Sequence, residues 1–246
     1  MKGVILVAGK GTRLYPITKV IPKGLLPIYD RPMIYFALDF MKSVDIEEVL
    51  VVVSSETEDI FRKSLGDGSE FGLKIDYRVQ KEINGTGGAL REVKDFFEGD
   101  SIVLYYGDNI LLSKELNDIA KIGIGNLGMG KASMLALEVA NPSNYGVIET
   151  DLDDNVVHLE EKPLQPKSNF VSTGIYFYPA DIALKLNSIS MSPRGEYEIT
   201  DVNESYLEEG RLKAIKLSRE TSWFDAGDVD ALLEAGNTYK KFVSEK

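Results

Sequence analysis

Gly9, Gly11 and Thr12 crowd the stretch AGKGTRL, directly after the apolar run Val4–Ala8, with Arg13 beside them and Lys23 further on. A glycine-rich loop behind a buried strand lets backbone N–H groups approach phosphate oxygens closely. Neither standard fingerprint is met. Leu14 stands where GxGxxG needs its third glycine, and the P-loop fails because Gly11 follows Gly9-Lys10 where Ser or Thr is required. Taken alone, GKGT is equally a tight turn. Lys23 adds weight, because it lies in IPKGLLP between two prolines, and a proline-stiffened segment positions an ammonium at low entropic cost. The bland alternative is a solvated lysine on an ordinary loop. Loop and cations together point to a nucleotide phosphate site.

Two carboxylates complete the inventory. Asp108, in YYGDN, stands just past the C-terminal end of an apolar strand, the edge where ligands collect in open α/β sheets. Asp225, in SWFDAGD, follows an apolar pair and precedes a helix, so it is a metal-ligand candidate or simply that helix's cap. Converging on one Mg2+, the pair makes a phosphoryl- or nucleotidyl-transfer site. Other candidates fail. DLDDN lacks the glycine and glutamate of a calcium loop, with Val156 and Lys162 in those places. His158 is the only histidine and lies mid-strand, so it reads as structural.

The elements that must position these groups alternate along the first half. Strands are expected at Val4–Ala8, Val49–Val53, Ile75–Val79 and Ile102–Tyr106, and helices from Pro32, over Glu58–Leu65 and along Leu90, Val93 and Phe97. Continuous apolar strands separated by helices indicate a mostly parallel sheet covered on both faces. From Ser133 onward the pattern turns to strands: Met134–Val139, Gly146–Glu149, Val156–Leu159 and Gly174–Tyr178, two of them joined by TDLDDN as a hairpin. A helix at Glu198–Glu208, a strand at Leu212–Leu217 and a helix from Asp228 close the chain. No repeat or linker appears. The expectation is one domain over residues 1–246, with 1–130 mainly binding nucleotide and 131–246 mainly binding the second substrate.

Composition narrows the class. The 246 residues carry a formal net charge of −11 and no cysteine, which excludes disulfides, thiol nucleophiles and zinc–thiolate sites. The acidic balance argues against nucleic acid as a partner. No signal peptide or apolar span is readable, so no membrane is expected and the cytoplasm is the default place. Oligomeric state is not written in any pattern here.

LVAGKGTRLYPITKVIPKGLLP resembles the signature of the sugar-phosphate nucleotidyltransferases. LGDGSEFGLKIDYRVQ, YGDNI, NYGVIE, LEEKPLQPKSNF, TGIYFY and RGEYEITDVNESYLEEGRL narrow the resemblance to the glucose-1-phosphate thymidylyltransferase branch. The resemblance runs to about residue 240. It implies a Rossmann-like α/β fold with an added antiparallel sugar-binding region. It also implies Mg2+-dependent transfer of a thymidylyl group from dTTP to glucose 1-phosphate. Carried over residue by residue, Leu6, Ala8, Gly9, Gly11 and Thr12 hold the nucleotide, while Gln80 and Gly85 read the pyrimidine edge. Arg13 and Lys23 counter the triphosphate charge, and Asp108 and Asp225 hold the metal. Lys162 and Arg194 grip the sugar phosphate, and Asn109, Gly146, Glu161 and Thr173 line the sugar pocket.

The sequence departs from that branch at VAGKG, where the branch reads AGGSG, at TGGAL, where it reads LAQA, and at Ser172, where valine is usual. A uridylyltransferase acting with UTP on glucose or N-acetylglucosamine 1-phosphate is the nearest rival. A non-catalytic sensor is disfavoured by the presence of Arg13, Lys23, Asp108 and Asp225, and a glycosyltransferase by the single Asp of GDN. The branch's usual C-terminal extension has no counterpart here, so the resemblance does not carry over feedback control or the tetramer.

Overall fold

The computed structural model describes residues 1–245. The chain opens with β1 (Lys2–Leu6), β2 (Pro27–Ile28), β3 (Arg31–Pro32), α1 (Ile34–Ser43), β4 (Glu48–Val53), α2 (Glu58–Leu65) and β5 (Lys74–Val79). It continues through α3 (Thr86–Glu92), β6 (Ile102–Tyr106), β7 (Asn109–Leu112), α4 (Leu116–Gly128), β8 (Ala132–Glu138), β9 (Gly146–Thr150) and β10 (Val156–Glu161). It ends with β11 (Phe170–Tyr178), α5 (Ile182–Lys185), α6 (Ile199–Glu208), β12 (Leu212–Lys216), β13 (Ser222–Asp225) and α7 (Val229–Ser244). The expected mixed α/β class is observed. No helix among the described residues is long and apolar enough to cross a membrane.

Packing divides the chain into two compact units, each assembled from separate stretches of the sequence. The first unit comprises Gly3–Lys81, Tyr105–Leu116 and the segment from Glu220 onward; the second comprises Met1–Lys2, Glu82–Leu104 and Asn117–Arg219.

In the first unit β1, β4 and β5 pair in parallel, with Ile5 opposite Val51 and Val51 opposite Tyr77. Val4, Ile5 and Val49 to Val53 are fully buried, as strands covered on both faces must be. Pro32 does not sit in the first helical turn. It pairs with Pro27 in the β2–β3 ribbon, and α1 begins at Ile34. The carboxylate-bearing segments meet in a second ribbon, where β7 and β13 run antiparallel with Asn109 opposite Asp225 and Leu111 opposite Trp223. Leu14, Leu26, Ile110, Leu112, Ala226 and Tyr239 form one buried cluster that fastens the glycine loop, this ribbon and α7 together.

In the second unit β8 pairs antiparallel with β11 and parallel with β12, while β9 and β10 form the expected hairpin. Asp151 closes that hairpin by accepting from the N–H groups of Asp153 and Asn155, which is turn chemistry and not a calcium loop. The helix expected through Phe97 stops at Glu92, and a 3-10 turn over Lys94–Phe96 follows. Helix α4 was not expected. Its glycines dilute the apolar stripe, and the structure explains one of them, since a Cβ on Gly123 would stand 2.5 Å from the Phe177 ring.

Candidate active site

The glycine loop folds around one left-handed residue. Gly11 has φ 61° and ψ 37°, and a Cβ there would press on Thr18 and on Lys23 at 3.2 Å. Leu14 and Tyr15 donate back to the Gly11 and Thr12 carbonyls, which winds Thr12–Leu14 into a 3-10 turn. Gly9 has open space where its side chain would be, so packing does not demand glycine there. Leu6 and Ala8 lie beneath the loop, the Leu6 carbonyl accepting from Gly107.

Lys23 is mostly buried and donates to Asp108 Oδ2 at 2.7 Å. Gly107 brings Asp108 close to β1, because a Cβ at that position would lie 2.3 Å from Val7. Asp225 stands across the ribbon. Burial pushes its carboxyl up, the Asp108 carboxylate adds to the rise, and Lys23 and Arg13 pull it back. The alternative reading of Asp225 as a helix cap is settled, since Asp228 caps α7 by accepting from the Ala231 N–H at 2.9 Å. The Arg13 guanidinium lies flat against Gly227, where any Cβ would stand 2.6 Å from Nη2. Thus Arg13, Lys23, Asp108 and Asp225 gather in one unit, two cations facing two carboxylates.

This donor set suits a hard divalent cation, which takes one or two carboxylates and fills its remaining positions with water and phosphate oxygens. No group of three or more His, Cys, Asp or Glu gathers as a metal site among the described residues. A metal on Asp108 and Asp225 therefore leaves open positions for a substrate.

A second cluster forms in the other unit. Gly146 pairs with Glu161 across β9 and β10, and its missing side chain leaves room for the Glu161 carboxylate, which a Cβ would meet at 3.3 Å. Glu161 accepts from Thr200 at 3.3 Å and lies 3.6 Å from Lys162 Nζ and 4.0 Å from Arg194 Nη2. Arg194 is bound more closely by Glu198, at 2.9 Å. Lys162 holds a left-handed backbone with φ 48°, a strained state for a residue with a Cβ, fixed by its N–H on the Tyr145 carbonyl.

The remaining candidates are placed less simply. Gln80 directly follows β5 in the first unit, nearly buried, its N–H on the Val53 carbonyl. Gly85 belongs to the second unit, with φ 95° and its Cα packed on the Tyr197 carbonyl, where a Cβ would approach to 2.5 Å. Thr173 is fully buried and its hydroxyl donates to the Leu135 carbonyl at 3.1 Å, so its side chain has no surface to offer a sugar. Ser172 instead shares a face of β11 with Tyr176, their hydroxyls 2.9 Å apart. The side chain of Asn109 is spent inside the first unit, on Asp108 and Trp223.

Sequence reasoning missed Gly107, Gly227 and Trp223. Each had a signal: Gly107 directly precedes Asp108 in YYGDN, Gly227 stands two residues after Asp225 in DAGD, and the only tryptophan stands two residues before Asp225.

A family model described as Nucleotidyl transferase matches residues 2–241. The glucose-1-phosphate thymidylyltransferase of Mycolicibacterium smegmatis is 40% identical over 241 residues, covering 96% of this chain and 81% of that protein. A solved structure from Bacillus anthracis, assigned as a glucose-1-phosphate thymidylyltransferase and holding a sucrose, superposes with a TM-score of 0.89 at 37% identity, covering 97% of this chain and 94% of that one. A UDP-glucose pyrophosphorylase in complex with UDP-glucose superposes at 0.85 with 25% identity, covering 98% of each chain. Enzymes of this kind generally use a divalent metal, which agrees with the paired carboxylates. From fold, site and similarity alike, the chain belongs to the nucleotidyl transferase family and is a nucleotidyltransferase enzyme.

Proposed function

We propose that the chain transfers a thymidylyl group from dTTP to glucose 1-phosphate, releasing pyrophosphate. A phosphate oxygen of the sugar phosphate forms a bond to the α-phosphorus, and the bond from that phosphorus to the β-phosphate bridging oxygen breaks. The electron pair leaves with pyrophosphate. No protein nucleophile is needed, so the chemistry rests on in-line positioning and on neutralising charge. The observation that carries the reading is the set of Asp108, Asp225 and Lys23, with the exposed Arg13 beside them, next to a glycine loop. The similarity to thymidylyltransferases at 40% identity supports the choice of donor and acceptor.

The roles follow from the chemistry. Gly9, Gly11 and Thr12 wrap the triphosphate, and open space at Gly9 suits a backbone that meets a ligand instead of a side chain. Arg13 and Lys23 neutralise the departing pyrophosphate. Asp108 and Asp225 hold Mg2+, which supplies charge neutralisation at the phosphate oxygens when bound. Gln80 and Gly85 read the pyrimidine. Lys162 and Arg194 hold the sugar phosphate, while Gly146 and Glu161 face its hydroxyls. A nucleoside triphosphate as donor supports the cytoplasm as the enzyme's compartment.

Pyrophosphate release with glucose 1-phosphate and Mg2+, comparing dTTP with UTP, tests this. Thymine exceeds uracil by one methyl, worth about 0.8 kcal/mol when buried, so dTTP is expected to be favoured about fourfold in kcat/KM over dUTP, and UTP adds a 2′-hydroxyl to that difference. Equal or faster turnover with UTP moves the assignment to a uridylyltransferase. No release with any triphosphate overturns the reading.

A further inference from the structure

We propose that Asn109 and Trp223 form a brace that orients the metal-binding carboxylate Asp108, and that the chain's single tryptophan therefore reports metal binding. The inference rests on the Mg2+ site proposed above and adds two positioning residues to it.

The ribbon of β7 and β13 sets the geometry. Asn109 pairs with Asp225, and strand alternation puts Trp223 on the same side of β13 as Asp225, diagonal to Asn109. The indole N–H only donates, and it donates to Asn109 Oδ1 at 2.9 Å. That contact fixes which way the amide points. Its NH2 group is left to face Asp108 Oδ1 at 3.2 Å, with the Tyr106 carbonyl at 3.4 Å as a second acceptor. Lys23 takes the other oxygen, Asp108 Oδ2, at 2.7 Å. Both oxygens of Asp108 are thus held, one by a charge and one by an oriented amide. Partners of this kind set the direction of a ligand's lone pairs and tune its metal affinity. Asn109 is only 4% exposed, so a sugar hydroxyl would reach its amide only by displacing the indole or the carboxylate.

The test titrates Mn2+ into the wild-type protein, following Trp223 emission and the free-Mn2+ electron paramagnetic resonance signal in parallel. The two midpoints are expected to coincide. Trp223→Phe keeps a ring in the ribbon and loses only the indole and its N–H, so it should fold. Its resonance midpoint is expected to rise about threefold, and that of Asn109→Leu about tenfold, with the KM for glucose 1-phosphate unmoved. The emission change of Asn109→Leu should follow its weakened binding. Emission that stays constant while Mn2+ binds overturns the proposal, as does a midpoint unchanged in both variants. A shifted KM for the sugar phosphate at fixed Mn2+ affinity assigns the two residues to the sugar pocket instead. Brace-dependent Mn2+ binding without pyrophosphate release from any triphosphate leaves the brace standing and overturns only the proposed reaction.

Discussion

The two charged clusters are built by opposite means. In the first unit Lys23 is 11% exposed and locked on Asp108 at 2.7 Å, under a ribbon and a buried apolar cluster. In the second, Lys162 and Arg194 are 52% and 48% exposed, and their contacts to Glu161 stretch to 3.6 and 4.0 Å. A half-buried charge is costly unless paired, so Lys23 and Asp108 are already joined before any ligand arrives, while Asp225 beside them waits for a counter-charge. Exposed pairs contribute little to stability, so releasing Lys162 from Glu161, or Arg194 from its 2.9 Å pair with Glu198, toward a phosphate costs little. Preformed electrostatics belong where charge develops in the reaction, and adjustable cations belong where a substrate is gripped. On the proposed function, the first cluster does the chemistry and the second binds the sugar phosphate.

Removing a carboxylate from the preformed cluster should produce the largest effect. Asp108→Asn keeps the shape and loses the charge, leaving Lys23 without its anion and the metal with one carboxylate. We expect kcat for pyrophosphate release to fall about a hundred- to a thousandfold, with the sugar phosphate KM changed far less. Comparable losses in KM alone would erase the contrast with the second cluster. Gly107→Ala attacks the same site through packing, because its Cβ would meet Val7 at 2.3 Å. It should destabilise the fold by about 1–3 kcal/mol, read by chemical denaturation, as over-packing does.

The binding cluster should respond differently. Lys162→Ala and Arg194→Ala are each expected to raise the KM for glucose 1-phosphate about tenfold, the scale of one charge-assisted contact. The KM for dTTP and the thermal midpoint should stay put, because these side chains are exposed. A lowered thermal midpoint would mean that the pairs with Glu161 and Glu198 are structural braces.

The same contrast explains what the sequence made legible. Continuous apolar runs announced β4 and β6 almost to the residue, because burial on both faces dictates composition directly, while the one-sided β5 and α2 were announced by their periods. Helix α4 stayed hidden, because Gly123 meets Phe177 through a missing side chain and a gap leaves no periodic signal. The short strands β7 and β13 were invisible for another reason: four residues carry too little pattern, and their register joins segments more than a hundred positions apart. Hence Asp108 and Asp225 were legible as candidates while their convergence was not. Thr173 shows the limit within one strand. Its residue type fits a sugar, yet the alternation of β11 turns it inward and presents Ser172.

The smallest effect expected concerns Asp225 and stability. Burial and Asp108 raise its carboxyl above the ordinary 3.8, so the folded protein binds this proton more tightly than the unfolded chain does. The sign follows by linkage. Below the unfolded value both states are protonated and the raised pKa contributes its full stability. That contribution is lost as pH rises through the folded value. Metal-free wild type should therefore weaken across this window, while Asp225→Asn, which has no proton to lose, should not. At neutral pH the variant is expected to melt about 2–4 °C higher than metal-free wild type, which is about 1 kcal/mol for a chain of this size. Added Mg2+ should raise the wild-type midpoint and leave the variant's unchanged, closing the gap while activity survives only in the wild type. Differential scanning calorimetry from pH 4 to pH 8, with and without Mg2+, measures all four curves. Parallel curves would mean that Lys23 and Arg13 already compensate the charge of Asp225, and that the first cluster is balanced without its metal.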